Sequence, residues 1–378
     1  MYFKPNYLQK NFLPFILLGM LLTACIEPYD FRVEDVKPTL VVEGFISDAS
    51  FNDTYAYPSD GRYFSINLSY TNDVINIRGS NVVGAQINIV DDLGGSWSYT
   101  EINEDPPRYL LLDDNFKAIE DRSYQLKIKL SNGDSYESEW TGLPEAEVAE
   151  IGDIDFIEDE SLGLDYISGE EVIRNIQGMR ATINLPPNNT EEAIYYKWSY
   201  DPTWIYKTPL PTYRLNSVDV CWAKNKLYLN TFDMVEDYTG GYIQNLFYMR
   251  TDGNERIYDK ISVLITQQVM HKDHYFFYKE LKDRASTGII FDQLPFNLPS
   301  NIKALDNTKQ VFGFFGVVKE QAKRWYFDKD ELSYYVINNL AENCIKYATG
   351  TPAAECISCL DYSHGKAVAE EPYWWNPQ

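Results

Sequence analysis

Five cysteines hold the plainest chemistry in this 378-residue sequence. Cys25 closes the quartet Leu22-Thr23-Ala24-Cys25, with a small residue before a candidate scissile bond and a thiol behind it. A thiol so placed can carry a diacylglycerol, which makes Cys25 the candidate lipidation residue. Cys221, Cys344, Cys356 and Cys359 remain, an even number. In an oxidising compartment they are expected to form two disulfides, with three connectivities open. Every complete pairing ties Cys221 to one of the three tail cysteines. Closing so long a loop gains about 4–5 kcal/mol in the chain-entropy picture. The rival chemistry is zinc, since Cys356-Ile357-Ser358-Cys359 has ligand spacing and His364 follows. Cys344 and Cys221 would then have to complete the set, because a structural zinc site usually wants a second spaced pair. The sequence favours disulfides, and neither a metal nor a cofactor is expected.

The other residue types offer less. His271 and His274 stand three apart near a helix start, without a third ligand at fitting spacing. Their plainer reading is a cap or a surface position. No glycine-flanked serine elbow accompanies the three histidines, so a Ser-His-Asp triad has no support. Acid pairs such as Asp91-Asp92, Asp113-Asp114 and Glu191-Glu192 are too numerous to single out a glycosidase pair. The chain is therefore not expected to be an enzyme. Aromatics are a different matter, because they dominate contact hot spots. Tyr196, Trp198, Tyr200 and Trp204 are the candidate contact residues, though core packing is the plainer reading for that face.

The elements that must position these residues read as mainly β. With 30 Tyr, 19 Phe and 8 Trp, the composition suits pleated, half-buried surfaces. Residues 1–24 form a charged, then apolar leader, too short for a comfortable membrane span. Residues 25–37 read as a lipidated tether. Alternation then sets in: Phe64, Ile66 and Leu68; Ala85, Ile87 and Ile89; Tyr124, Leu126, Ile128 and Leu130. Asn132-Gly133 marks a hairpin, because both residues tolerate positive φ. Residues 38–143 are thus expected to form an immunoglobulin-like β-sandwich. Residues 144–340 read as a larger β-rich domain, opening with an acidic, poorly patterned stretch from Asp153 to Glu171. It continues with strands at Met179–Leu185, Ile194–Tyr200 and Trp204–Tyr206, then at Ile257–Ile265 and Val311–Val318. One helix is expected from about Asp273 to Arg284, capped by Asp273. Residues 341–378 form a cysteine-bearing tail stapled to the second domain.

The formal charge is −23, and removing the leader with Lys4 and Lys10 leaves 31 basic against 56 acidic residues. A body so acidic repels phosphate backbones and anionic head groups, which excludes nucleic acid as a partner. Attachment to a membrane must then come from lipid on Cys25.

Several motifs occur in a telling order. Cys25-Ile26-Glu27-Pro28-Tyr29 leads into Lys37-Pro38-Thr39-Leu40-Val41-Val42-Glu43-Gly44. Tyr195-Tyr196-Lys197-Trp198 follows, then Tyr275-Phe276-Phe277-Tyr278-Lys279-Glu280-Leu281, Gly313-Phe314-Phe315-Gly316 and Tyr373-Trp374-Trp375. Together they resemble a family of Bacteroidota outer-membrane lipoproteins built on a domain of unknown function, whose genes often neighbour TonB-dependent receptors. The resemblance covers most of the mature chain and brings no catalytic residues with it. It implies a lipid-anchored protein of the outer membrane, at the cell surface or on the periplasmic face. There it would act as a non-catalytic accessory or ligand-binding partner of a TonB-dependent receptor. The acidic residues after Cys25 resemble surface-export signals. The alternatives are a structural or adhesive envelope lipoprotein and a surface hydrolase.

Cys25 is expected to become the lipidated mature N-terminus. Labelling cells with a radioactive fatty acid checks this: the wild-type chain should take up label and the Cys25→Ala chain should not.

Overall fold

Why the alternating segments become strands is plain in the first half of the chain, where each places one row of apolar side chains against a common core. The computed structural model describes residues 38–71, 81–104, 106–167, 169–211, 217–287, 299–348 and 350–376. The leader, Cys25 and the tether to residue 37 lie outside the described residues. Strands β1 (Leu40–Ser47), β2 (Phe64–Tyr70), β3 (Gln86–Asp91), β4 (Ser96–Ser98) and β5 (Thr100–Ile102) come first, with the short helix α1 (Phe51–Ala56) after β1. Then follow β6 (Arg108–Leu111), β7 (Ser123–Lys129), β8 (Ser135–Ser138) and β9 (Thr141–Gly142). The predicted hairpin at Asn132-Gly133 joins β7 to β8, with Gly133 at φ 93°.

The second half opens with two long strands, β10 (Ile154–Ile167) and β11 (Glu170–Asn184). Next are β12 (Ile194–Lys207), β13 (Val220–Lys224), β14 (Phe232–Asp237), β15 (Ile243–Arg250) and β16 (Ile261–Met270). Helix α2 (Lys272–Thr287), β17 (Ile302–Ala304) and β18 (Val311–Phe327) follow, then α3 (Asn339–Lys346) and β19 (Lys366–Val368). The chain is mainly β, as its pattern predicts. Several details differ from the sequence reading. Most of the acidic stretch from Asp153 to Glu171 is strand, in β10 and the start of β11; Ile194–Tyr200 and Trp204–Tyr206 lie in one strand, β12; and the strand expected from Ile257 begins at Ile261. Asp273 sits inside the first turn of α2, which begins at Lys272, so it is not the cap.

Three sheets result. The largest runs β19-β13-β12-β16-β18-β1-β2-β6-β5, with β14 also on β12. A second runs β17-β8-β7-β3-β4, with β9 on β7, and a third is β10-β11-β15. The first two sheets close over one core that holds Val42, Ile66, Tyr109, Leu126 and Phe315. The third sheet and the other half of the large sheet enclose another core around Ile183, Trp198, Phe247 and Val263.

Strand β18 belongs to both cores. Its first half pairs in parallel with β1, from Leu40↔Val311 to Ser47↔Val318. Its second half pairs antiparallel with β16, from Val269↔Lys319 to Ile261↔Phe327. Phe315 and Val317 lie in the first core and Phe327 in the second, so one face of the strand serves both. Gly313 and Gly316 permit this. A Cβ on Gly313 would fall 1.9 Å from the carbonyl oxygen of Val42, and one on Gly316 would fall 2.1 Å from His274 Cε1. The sandwich of region 38–143 is therefore completed by residues 302–318, with β17 pairing β8.

A chain ending at residue 300 is expected to leave residues 39–143 unfolded, because the sandwich core loses Phe315 and Val317 and β1 loses a neighbour. Circular dichroism and amide dispersion of that fragment check this; a folded, dispersed spectrum would contradict it.

Candidate functional site

Strand β12 alternates, and its even-numbered row turns into the second core. Tyr196 is 2% exposed and Trp198 and Trp204 are each 0% exposed. Tyr200 is half-buried, donates its O–H to Asp233 Oδ2 at 2.7 Å and packs edge-on against Phe247. These four aromatics are core, not contact surface, so their candidacy as contacts is set aside and the packing reading stands. Large aromatic area is worth more inside a two-sheet core than on a wet face.

The cysteines are paired as Cys221–Cys359 and Cys344–Cys356, so their sulfurs are not zinc ligands. The first bridge closes 138 residues and fastens the tail to β13. A buried carboxylate, Glu255, seconds it: Tyr362 donates its O–H at 2.7 Å, and His364 Nδ1 lies 3.0 Å away. Burial works against the ionised Glu255, but Arg256, His364 and Tyr362 outweigh it and hold the carboxyl below its usual range.

His271 and His274 do not share a ligand. His271 Nε2 donates to the Gly142 carbonyl at 2.9 Å. His274 lies flat on Phe314 with centroids 4.7 Å apart, and both its ring nitrogens are buried without partners. Burial first, then the charge of Lys197, pushes His274 down to about 3, so it is neutral. A cavity of about 440 Å³ beside it, rimmed by Trp140, Asp273 and Asn301, does not reach those nitrogens. Among the described residues no group of three His, Cys, Asp or Glu could hold a metal ion.

The odd-numbered row of β12 meets a polar ladder on the sheet face that carries α2. Lys197 pairs in register with Gln268, and Gln268 with Glu320. Lys197 Nζ donates to Gln268 Oε1 at 3.3 Å and lies 4.5 Å from the Tyr278 ring centroid. Arg62 closes the row on Glu320 at 2.8 Å. Each charge is answered by a neighbour, which is the pattern of structural burial and not of a reactive group. Burial still pushes Lys197 down to about 8, against the pull of Glu320.

The feature that faces outward is the hairpin of β10 and β11. Its strands are 14 and 15 residues long, and β15 pairs β11 only from Gly178 to Asn184. The outer part is thus a two-stranded ribbon beyond the sheet. At its base the even row of β10 faces the second core through Ile154 and Phe156, opposite Ile183 and Ala181. After Glu158 and Glu160 the same row turns apolar again at Leu162, Leu164 and Tyr166, with Ile173 opposite Leu164. These four are 76%, 63%, 69% and 69% exposed, so the core-type face runs on into solvent. The reverse face is fastened to the body: Arg174 bridges Asp165 and Asp252, and Tyr248 donates its O–H to the Ile176 carbonyl at 3.0 Å. Sequence reasoning passed over this element, although Leu162, Leu164 and Tyr166 alternate. The acids Glu158, Asp159 and Glu160 break the apolar row and hide the period. Among the described residues no helix is long and apolar enough to cross a membrane.

The family description Domain of unknown function (DUF4249) matches residues 26–324. No curated protein and no solved structure matches the chain.

The low value at Lys197 fixes a sign. Its folded value of about 8 lies below the ordinary lysine range, so the unfolded chain binds more protons between about pH 8 and 10.5. Stability should rise with pH across that window, by about 3 kcal/mol at most. Lys197→Met should abolish this rise and stabilise the fold at pH 7 by about 1–3 kcal/mol, because Glu320 keeps Arg62. Urea unfolding at pH 7, 8, 9 and 10 checks both.

Proposed function

The chain belongs to the DUF4249 family, whose match spans most of it, and from that premise we propose that it is a non-catalytic binding protein, held by lipid on Cys25 at the outer membrane, that associates with a TonB-dependent receptor. One observation carries the reading. The ribbon exposes Leu162, Leu164, Tyr166 and Ile173 on a single face. Monomeric proteins rarely leave contiguous apolar surface in water, and such patches mark interaction sites. The ion pairs of Arg174 on the reverse face hold the ribbon to the body, so it presents that face without first having to order.

Anchoring supplies the other half of the argument. Lipid on Cys25 confines the body to a membrane, which raises its effective concentration for partners in the same plane. A modest contact then suffices. The neighbours named by the family resemblance make a receptor barrel the natural partner. The acidic body, at −25 once the leader is gone, resists sticking to anionic lipid and leaves the contact to the ribbon.

Mild detergent extraction followed by pull-down of the intact chain should co-purify a large β-barrel. The double variant Leu162→Ser/Leu164→Ser should lose it while keeping its unfolding midpoint, because both side chains are exposed. A wild-type chain that emerges alone, in a deletion background where receptor uptake is unchanged, would reject the reading in favour of an adhesive or structural role.

A further inference from the structure

The backbone of β10 carries a second layer of information. β10 is the outermost strand of its sheet, and no strand among the described residues covers its far side. Most other sheet edges are blunted by length. The large sheet ends in β19 and β5, and the six-stranded sheet in β17 and β4, each 3 residues long, and β14 beside β12 offers 6. β10 is the longest open edge at 14 residues, while the opposite margin offers the 8 of β15 and, beyond it, residues 170–177 of β11. Short edges are a usual defence against unwanted strand pairing.

Part of β10 is defended in another way. The N–H groups of Phe156, Glu160 and Tyr166 each donate to the carboxylate of the preceding residue, Asp155, Asp159 and Asp165, at 2.8, 2.8 and 2.9 Å. All three belong to even-numbered residues. In an antiparallel ladder alternate residues turn their N–H and C=O to the same side. The even row of β10 is therefore the outward row. Leu162 and Leu164 fall in that row, and neither is preceded by an aspartate: Ser161 and Gly163 stand there instead. The aspartate caps thus bracket an uncapped window whose side chains are the apolar ones.

From this pairing of an open backbone with an apolar row, resting on the contact role proposed above, we infer that residues 161–165 of β10 receive an extended segment of a partner protein as an added antiparallel or parallel strand, and that this segment is apolar at its centre and basic at its ends. Charge selects the occupant. Over residues 157–180 there are six acids and two arginines, a net −4. Glu158, Asp159 and Glu160 precede the window, Asp165 closes it, and Glu170 and Glu171 follow at the start of β11. A second copy of this chain would bring two such ribbons together, and like charges across a strand pair destabilise it. A strand with lysine or arginine at its flanks meets opposite charge at both ends. Main-chain hydrogen bonds supply affinity in such strand addition, and the side-chain row supplies register.

The test uses the full mature chain and a synthetic peptide of alternating valine and threonine with two lysines at each end. Hydrogen exchange should slow at the amides of Leu162 and Leu164 when the peptide is present. Leu164→Pro removes one outward N–H and spares the ladder with β11, so it should weaken binding about tenfold. An N-methylated peptide, which keeps its side chains but loses its donors, should not bind, and neither should one ending in glutamates. Should Leu164→Pro disturb the ribbon, seen as loss of protection at Val172 and Arg174, whose N–H groups face β10 opposite Asp165 and Gly163, the N-methylated peptide alone decides. Equal binding by the N-methylated peptide, or a dimer of the chain whose interface protects residues 161–165, overturns the inference. If a barrel co-purifies equally with wild-type and Leu164→Pro chains, the edge is not used and the receptor reading survives. If no barrel co-purifies but the lysine-ended peptide protects the window, the receptor reading fails and the edge stands.

Discussion

Strand β18 is the constraint on which the rest of the molecule depends. Its 17 residues run past two cores without a break. Both its faces are buried from Gly313 to Val318, and on one row Phe315 and Val317 turn to one core and Phe327 to the other. The opposite row carries Phe314 and Val318 under α2, then Glu320 in the polar ladder, then Arg324 and Tyr326 beneath the tail. A one-residue slip of this strand would exchange every one of these environments, so its register is set by both cores together. The partner that fixes it, β1, lies some 270 residues earlier in the chain and runs parallel. Contacts so distant in sequence come late in folding, because loop closure must be met first.

That late closure explains how the other face is finished. Helix α1 with the loop to residue 63, and the C-terminal tail, arrive from opposite ends of the chain and meet there. Tyr373 donates its O–H to the Tyr55 carbonyl at 2.7 Å, and Trp374 donates its indole N–H to Asp60 at 2.7 Å. Arg324 sits between them, 3.5 Å from the Trp374 ring centroid, and donates to the Pro58 carbonyl. Burial lowers Arg324 to about 10, still well above neutral pH, so the guanidinium remains a cation for the indole face. The Cys221–Cys359 bridge and Glu255 hold the tail at its other end. The tail is thus a strap tied at both ends, and its bridge acts by limiting the unfolded chain over 138 residues.

Much of this was legible in the sequence where one face of a strand met a core and the other met water. Phe64, Ile66 and Leu68, and Tyr124, Leu126 and Ile128, are buried as their alternation predicts. Cysteine parity gave a bridge from Cys221 to the tail, but the choice of Cys359 needs three dimensions. The aromatics of β12 kept a contact reading open beside the packing one because composition says that tyrosine and tryptophan are good contact residues, yet says nothing of which face is wet. Dual membership of β18 was invisible: a strand buried on both faces reads the same whether it serves one core or two. The ribbon was hidden for the opposite reason. Its charged residues mask a period that only the ladder with β11 reveals.

The contrast between β18 and β10 carries the functional argument to its last step. Both are long strands: β18 runs past the end of its pairing with β16, and β10 runs with β11 past the end of β15. At β18 the continuation is met by β1, so its apolar row is paired and its backbone is satisfied. At β10 the even row turns apolar again after Glu158 and Glu160, and no strand among the described residues adds to its far side. If the ribbon served only to extend the hairpin, polar residues at 162, 164, 166 and 173 would do so at lower risk of aggregation. The chain instead puts leucines and a tyrosine there and surrounds them with acids. Acids at both ends discourage self-pairing while leaving the centre open. An edge built to be left alone would carry its charge at the centre. Here the charge stands at the margins, which is the arrangement of a surface that selects among strands and does not refuse them all.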